Sequence, residues 1–506
     1  MTTWIIRIAT TLIVLTLISA LIAGVMVNRS VEAMFGGHTP PAAFGIEDLR
    51  TPTPERYVLS GVSVLDPTRE RFVGNQAVVI DGGQISSVGP DTEVPSELPR
   101  FDGQGRFLVP GYTDSHVHLW NSPNDLLLYL ANGVTQVREM HGLAHHLDWR
   151  EQINHGRLGP DLFVVASQLA DYGFWEGLWV EWTSKRNVVG DTEDAADTVR
   201  ALHAQGFDAI KAGSFVNAEN FAVASQLTRE LETPLVGHLP VEVELEALWD
   251  THQKELAHVE ELVKGLMREF GRVNSRNTDE FLSYVQTRRN DVAQRVAESG
   301  ITVVSTLALS NRFGDQITDL ETTLTDIQLE YVNPGVAEGR AMGWLPGVNR
   351  YELPESSRSE GWRERHRIYW QAYAQAHQLM FEELLEHGVP ILAGTDASVP
   401  VMVPGFSLHQ ELQAMVDAGM SEAQALESAT SAPGDWMAWN TGRVQPGYRA
   451  NLVLLNENPL EDIRATDSIE QVIINGRILY RDDLDRMLLE VRRANNAART
   501  MDISVY

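Results

Sequence analysis

The 506-residue chain contains no cysteine. No disulfide can staple it, no thiolate can serve as nucleophile, and no zinc or iron–sulfur centre can rest on Cys, so any metal must be held by His, Asp, Glu or Lys. Positive charge is also scarce: 40 Lys and Arg stand against 69 Asp and Glu, a net charge of −29. A surface this acidic repels phosphate backbones and argues against nucleic acid as a partner, leaving small molecules. What remains is globular composition, 43% hydrophobic, in a chain long enough for a large core.

Long apolar runs are absent but for one. Residues 8–27, IATTLIVLTLISALIAGVMV, carry no charge and are bounded by Arg7 and Arg29. About 20 apolar residues span a bilayer core as a helix. Residues 1–30 therefore read as a transmembrane anchor or as a secretory signal, whose only passable cleavage pattern, Val31-Glu32-Ala33, lies well downstream. The charge on Arg7 and the α-amine leans toward a catalytic body outside the cytoplasm, periplasmic and membrane-anchored, or freely periplasmic or secreted after cleavage.

Residues 31–55 are rich in Gly and Pro and read as a linker. Short β-branched runs with Gly-Gly and Asn-Gly turns occupy 56–105 and return in 441–485, predicting one small β-sandwich built from both flanks. Between 106 and 440 apolar strands alternate with helical segments: 111–119, 133–139, 162–168, 207–212, 234–239, 255–259, 301–309 and 389–396. Eight such strands predict an α/β fold, a (β/α)8 TIM barrel. Two connections exceed simple barrel turns, the aromatic stretch 171–182 and an Arg-rich excursion at about 310–375, in which Arg358, Arg363, Arg365 and Arg367 read as a solvated helix face. Residues 486–506 read as a C-terminal helical tail.

His116 and His118, two apart at a strand end, project to one face and can reach one metal. His-x-His alone is weak evidence. Lys211, His238, His258 and Asp396 fall at the C-terminal ends of the fourth, fifth, sixth and eighth strands, where barrel enzymes place their catalytic groups. Each has an ordinary structural alternative, a hydrogen-bonded core His or a capping Asp; six sharing one rim form a constellation. An ammonium at Lys211 beside dications must snorkel outward, lose its proton, or react with CO₂ to give a carbamate.

At these residues the sequence resembles the amidohydrolase superfamily, within it the imidazolonepropionase-like and Xaa-Pro dipeptidase-like branch. VPGYTDSHVHL, GVTQVRE, DAIKAG, AGTDAS, FSLHQELQAMVDAGMSEAQALESATSAP and GRVQPGYRANLVLLNENPLEDI carry the resemblance across nearly all of residues 57–481. It implies that His116, His118 and Asp396 bind one divalent metal, most plausibly zinc, that His238 and His258 bind a second, and that carboxylated Lys211 bridges both. Without carboxylation the site holds one ion. The sequence departs from the pattern at Glu139 and Met140, where an Asp commonly follows Arg138, and at Asn451, where Asp is usual.

The implied reaction is hydrolysis of a carbon–nitrogen amide bond by metal-activated water, with Asp396 as general base. The substrate reading is a dipeptide or N-acyl amino acid. Ring opening of a cyclic amide or lactone is the enzymatic alternative, and a membrane-bound, non-catalytic binding protein the other. Arg138, or Lys185 and Arg186, offer a partner for a substrate carboxylate, against the plainer reading of solvated charge or structural ion pairs; Tyr172, Phe174, Trp175, Trp179 and Trp182 offer a pocket wall, against loop packing or a place near the bilayer. The oligomeric state stays open, a homo-oligomer included.

Overall fold

The computed structural model describes residues 2–66, 70–94, 97–352 and 359–506. Strands β1 (Arg56–Leu65), β2 (Phe72–Asp81), β3 (Gln84–Pro90), β4 (Arg100–Asp102) and β5 (Phe107–Pro110) precede the parallel region. That region opens with β6 (Tyr112–Val117), β7 (Val134–Gly142) and β8 (Asp161–Ala166), then the short β9 (Leu169–Ala170) and β10 (Asn187–Val188). Next come β11 (Ile210–Ala212), β12 (Leu235–Gly237), β13 (Gln253–Leu256), β14 (Thr302–Val304) and β15 (Ile391–Leu392). The chain closes with β16 (Leu452–Leu455), β17 (Ile469–Ile474) and β18 (Arg477–Tyr480).

Both flanks meet in one eight-stranded sheet, ordered β18-β17-β16-β5-β1-β2-β3 with β4 on β1. Its apolar face is made by Tyr57, Leu59, Val78, Ile80, Leu452 and Ile473. β5 belongs here although the sequence assigns residues from 106 onward to the parallel region; it pairs with β16 from Phe107 to Pro110 and leads straight into the start of β6.

The parallel strands form two sheets, β6-β7-β8 and β10-β9-β11-β12-β13-β14-β15. Single parallel bridges join them at both ends, Val165 to Ala209 and Val117 to Ala397. The strands are buried on both faces, which is why they read as continuous apolar runs rather than alternating ones. Two segments placed in strands by sequence run past their strands into helix: residues 307–309 open the helix Leu307–Thr318, and His258 is the non-helical cap of the helix Val259–Phe270. The excursion at 310–375 is mostly helical as well, including Leu320–Thr325, Pro334–Ala337 and the start of Glu360–Glu386. Arg363, Arg365 and Arg367 are exposed on that last helix, and Arg358 lies outside the described residues.

The N-terminal helix runs Thr2–Met34, and its Thr10–Met34 portion is long and apolar enough to cross a membrane by length and composition. Residues 35–55 do not form a free linker. Ala42 N–H donates to Asn124 Oδ1 (2.8 Å), the buried Phe44 ring lies under the Arg486 guanidinium (5.0 Å), and Thr53 Oγ1 accepts Ile478 N–H (3.0 Å). The helical tail starts at Arg481 and ends at Ala498.

Candidate metal centre and its cavity

Pairing between the first and last parallel strands assembles the first half of the site. Ser115 N–H donates to Ala393 O (2.9 Å), Asp396 N–H to His116 O (2.8 Å), and His118 N–H to Ala397 O. Gly394 permits this approach, since a Cβ there would lie 2.5 Å from Val304 Cγ1 and 3.0 Å from His116 N. Below it, the buried Asp114 carboxylate accepts Thr395 N–H (3.0 Å) and Thr395 Oγ1–H (2.6 Å). The result sets His116 Nε2 3.4 Å and His118 Nε2 2.9 Å from Asp396 Oδ1.

One donor atom from each of these three residues lies within 4.8 Å of the others. Both ring nitrogens of His116, Nδ1 of His118 and Oδ1 of Asp396 are buried without a hydrogen-bond partner. Burying a polar atom unsatisfied costs about 1–3 kcal/mol, so four together point to a missing partner. Two imidazoles and a carboxylate fit a divalent cation such as zinc. Burial, then the charge of Lys211, pushes the His116 imidazolium well below its ordinary range, and burial likewise lowers His118, so both offer lone pairs at neutral pH. Burial alone would raise Asp396, but the adjacent His118, then His258 and Lys211, outweigh it and hold the carboxyl at about 2.

The other half faces it across the cavity. Gly237, with φ of 115°, lets β12 pass so close to β11 that a Cβ would meet Ala212 O at 2.4 Å and Lys211 Cγ at 2.8 Å. The next residue, His238, donates Nδ1–H to Glu261 Oε1 (2.9 Å), whose other oxygen accepts Leu239 N–H (3.0 Å). His258 Nδ1 is bonded to Thr306 Oγ1 (3.1 Å). Anchoring Nδ1 in this way sets the ring orientation and leaves Nε2 as the nitrogen available to a ligand. His258 Nε2 lies 4.0 Å from Asp396 Oδ2, and burial pushes its pKa down to about 4. Lys211 is buried on β11, and burial, opposed by Asp396 and Glu139, pushes its ammonium down to about 8.

A cavity of about 600 Å³ opens here, lined by His118, Lys211, His238, His258 and Asp396, with His116 fully buried behind them. Among the described residues the compact three-donor group is His116, His118 and Asp396. Lys211, His238 and His258 share the cavity without joining it. Glu261 and Thr306, which hold the two histidines, escape a reading by strands because both sit on the helical side of a strand-to-helix turn.

The substrate-binding expectations fare differently. Arg138 is not a clamp for substrate. It is fully buried away from the cavity wall, bonded through both Nη atoms to Glu255 (2.7 and 2.5 Å), with Trp436 stacked 4.1 Å from its guanidinium. Trp175 is 80% exposed on the helix Phe174–Ser184, and neither it nor Tyr172 lines the cavity. Arg186 does line it, held by Tyr172 Oη and by Gln168, whose amide oxygen, turned toward it, accepts at 2.8 and 3.2 Å. Among the described residues no carboxylate pairs with Arg186. The departure at Glu139 is also explained: its carboxylate accepts Leu119 N–H (2.5 Å) and His141 N–H (2.7 Å), bracing the turns that carry His118 and His141.

A family model described as the amidohydrolase family matches residues 216–479. The chain belongs to the amidohydrolase family. Among curated proteins, imidazolonepropionase of Saccharopolyspora erythraea is 36% identical over 64 residues, 12% of this chain and 16% of that protein. Ochratoxinase of Aspergillus niger is 35% identical over 117 residues, 22% of this chain and 23% of its own length. The matched stretches thus span less than a quarter of these curated relatives. Among solved structures, a bottromycin amidohydrolase superposes with a TM-score of 0.66 at 22% identity, covering 87% of this chain and 91% of its own. A Xaa-Pro dipeptidase with bound methionine superposes with a TM-score of 0.60 at 17% identity, covering 84% and 100%. These amidohydrolases share the fold, of the TIM-barrel type.

Proposed function

We propose that this amidohydrolase is a metal-dependent hydrolase of the amide bond in a small, carboxylate-bearing substrate such as a dipeptide or N-acyl amino acid. The observation that carries the reading is the buried His116, His118 and Asp396 group beside the cavity, whose donor atoms lie within 4.8 Å of one another, both nitrogens of His116 without a hydrogen-bond partner. In this reading the two parallel sheets and their end bridges make one closed (β/α)8 barrel, with the flanking strands as a separate β-sandwich.

His116, His118 and Asp396 hold one divalent ion, zinc by donor chemistry. Lys211, as the neutral amine that burial favours, adds CO₂ with loss of one proton to become a carbamate, and with His238 and His258 holds a second ion. A divalent ion held there would supply a Lewis acid for the scissile carbonyl and would lower the pKa of a water to about 7. Asp396 takes a proton from the attacking water and returns it to the departing amine nitrogen. Where a single ion is bound, His238 or His258, oriented by Glu261 and Thr306, is free to assist the scissile carbonyl instead. Arg186, which has no acidic partner among the described residues, replaces Arg138 as the group that binds the substrate carboxylate.

The test is turnover of a panel of N-acyl amino acids, dipeptides, cyclic amides and lactones with and without chelator. Carboxylate-bearing linear amides should be hydrolysed fastest, chelation should abolish turnover, and zinc should restore it. Faster turnover of lactones or neutral cyclic amides, or turnover indifferent to chelation, contradicts the reading.

A further inference from the structure

We propose that the mouth of this cavity is held at a phospholipid surface and that the amide it accepts is an amphiphile, a polar carboxylate head on an acyl chain. This rests on the hydrolase reading for its substrate half and on surface geometry alone for its membrane half.

The apolar N-terminal helix ends at the site. The residue after it, Phe35, lines the cavity. Its carbonyl accepts Asn121 N–H (2.9 Å), and its ring packs on Trp120 (4.8 Å between centroids), which stacks on His118 (4.9 Å). The helix end is seated on two glycines: a Cβ on Gly335 would come within 2.2 Å of Ala33 O, and one on Gly339 within 3.0 Å of Met34 Cα. A helix able to cross a bilayer is therefore fixed directly to the cavity wall, with no slack chain between.

A second apolar element stands at the same rim. The helix Phe174–Ser184 leads into Ser184 and Arg186 on the wall, and His141, also on the wall, is hydrogen-bonded to Ser184 O (3.0 Å). Phe174, Trp175, Leu178 and Trp179 are 73%, 80%, 49% and 55% exposed. With Trp182 they recur at i, i+1, i+4, i+5 and i+8, one helical face, while Glu176 and Glu181 lie off it. Soluble surfaces rarely display such a contiguous patch, and Trp and Phe favour the bilayer interface, where amphipathic helices lie flat. The acidic remainder of the chain offers no electrostatic docking, so the contact is apolar. Inside, Phe35, Leu309, Phe313, Met342 and Trp370 give the cavity that holds Arg186 and the histidines an apolar lining as well, room for the chain of a substrate whose head those polar groups hold.

Because the chain has no cysteine, single labelling sites can be introduced at will. Trp175→Cys and Leu178→Cys, with Ser87→Cys on the sheet that joins the start of β6 at the far end of the strands, are labelled with an environment-sensitive fluorophore. The full chain is then reconstituted into phosphatidylcholine vesicles containing lipids brominated on the acyl chain. The same preparation is assayed on N-acyl amino acids of four to twelve acyl carbons. The proposal expects quenching and a blue shift at 175 and 178 but not at 87. It also expects kcat/KM to rise roughly tenfold or more along the series, since each buried methylene favours binding, and Phe174→Ser with Trp175→Ser to remove the lipid quenching read at Leu178→Cys while leaving the four-carbon substrate unchanged. Labels at 175 and 178 as water-exposed as that at 87 overturn the membrane contact. Hydrolysis independent of chain length overturns the amphiphile while the hydrolase reading stands. Lipid contact without hydrolysis at any length overturns the substrate half together with that reading.

Discussion

At the scale of single residues, the site divides into atoms that lack partners and residues that hold them in place. Asp396 combines an unpartnered Oδ1 with a pKa held at about 2, so it is ionised and able to accept a proton throughout the working pH range. Asp396→Asn should lower kcat by about 10² to 10⁴, as loss of a positioned proton-transfer group does, with an unchanged melting temperature showing that the fold survives. Glu261 is the positioning case. Burial would raise its pKa, but Lys264 and His238 hold it well below the carboxylate range, so it is a fixed anion behind the ring of His238. Glu261→Gln should weaken metal binding by about 10- to 100-fold, measured by competition with a chelating dye. Arg186→Met should raise KM for carboxylate-bearing amides with little change in kcat, because a remote clamp contributes equally to ground and transition states. An unchanged KM would remove Arg186 from the binding site.

At the scale of elements, two features determine whether strands can bring these residues together. The Arg138–Glu255 pair bridges β7 and β13 inside the parallel sheets with both side chains fully buried. Breaking such a pair leaves an uncompensated charge, so Arg138→Met should destabilise the protein by about 3–5 kcal/mol in denaturant unfolding, while Arg138→Met combined with Glu255→Leu recovers much of the loss. A substrate-clamp reading of Arg138 fails because its partner lies 117 residues away, and nothing local announces a long-range ion pair. The grouping of His116, His118 and Asp396, by contrast, is legible in the sequence, because strand ends are local features and parallel sheets align them at one edge. The strand limits are less so: His258 lies past its strand as a helix cap, where apolar continuity does not distinguish the last strand residue from the first helical turn. Close approach is the second feature. Gly394→Ala should force β15 away from β6 and reduce metal occupancy.

At the scale of the whole molecule, the N-terminal segment is part of the body rather than a tether. A chain beginning at Asn28 keeps Phe35 and Phe44 in place and should hydrolyse short amides without membranes. One beginning at Arg50 loses a cavity wall and a buried ring, and should unfold at a lower temperature. Buried carboxyls also tie the fold to pH. Burial raises Asp125 from 3.8 to about 7, with only Ser122 Oγ–H opposing. Its native state holds a proton that the unfolded chain gives up near pH 4, so its contribution to stability falls as pH rises from about 4 through 7. Asp125→Asn removes that dependence, and its melting temperature relative to the unaltered protein should climb between pH 5 and pH 8; a constant difference would contradict the assignment.

The central claim is that His116, His118 and Asp396 form a metal site on which hydrolysis depends. Metal content by mass spectrometry, measured together with amide turnover as chelator is titrated, tests it most directly. The account predicts at least one equivalent of divalent metal per chain, lost in step with activity, and its absence from a His116→Ala, His118→Ala variant that remains folded. A folded, metal-free protein that turns over amides at the full rate would contradict it.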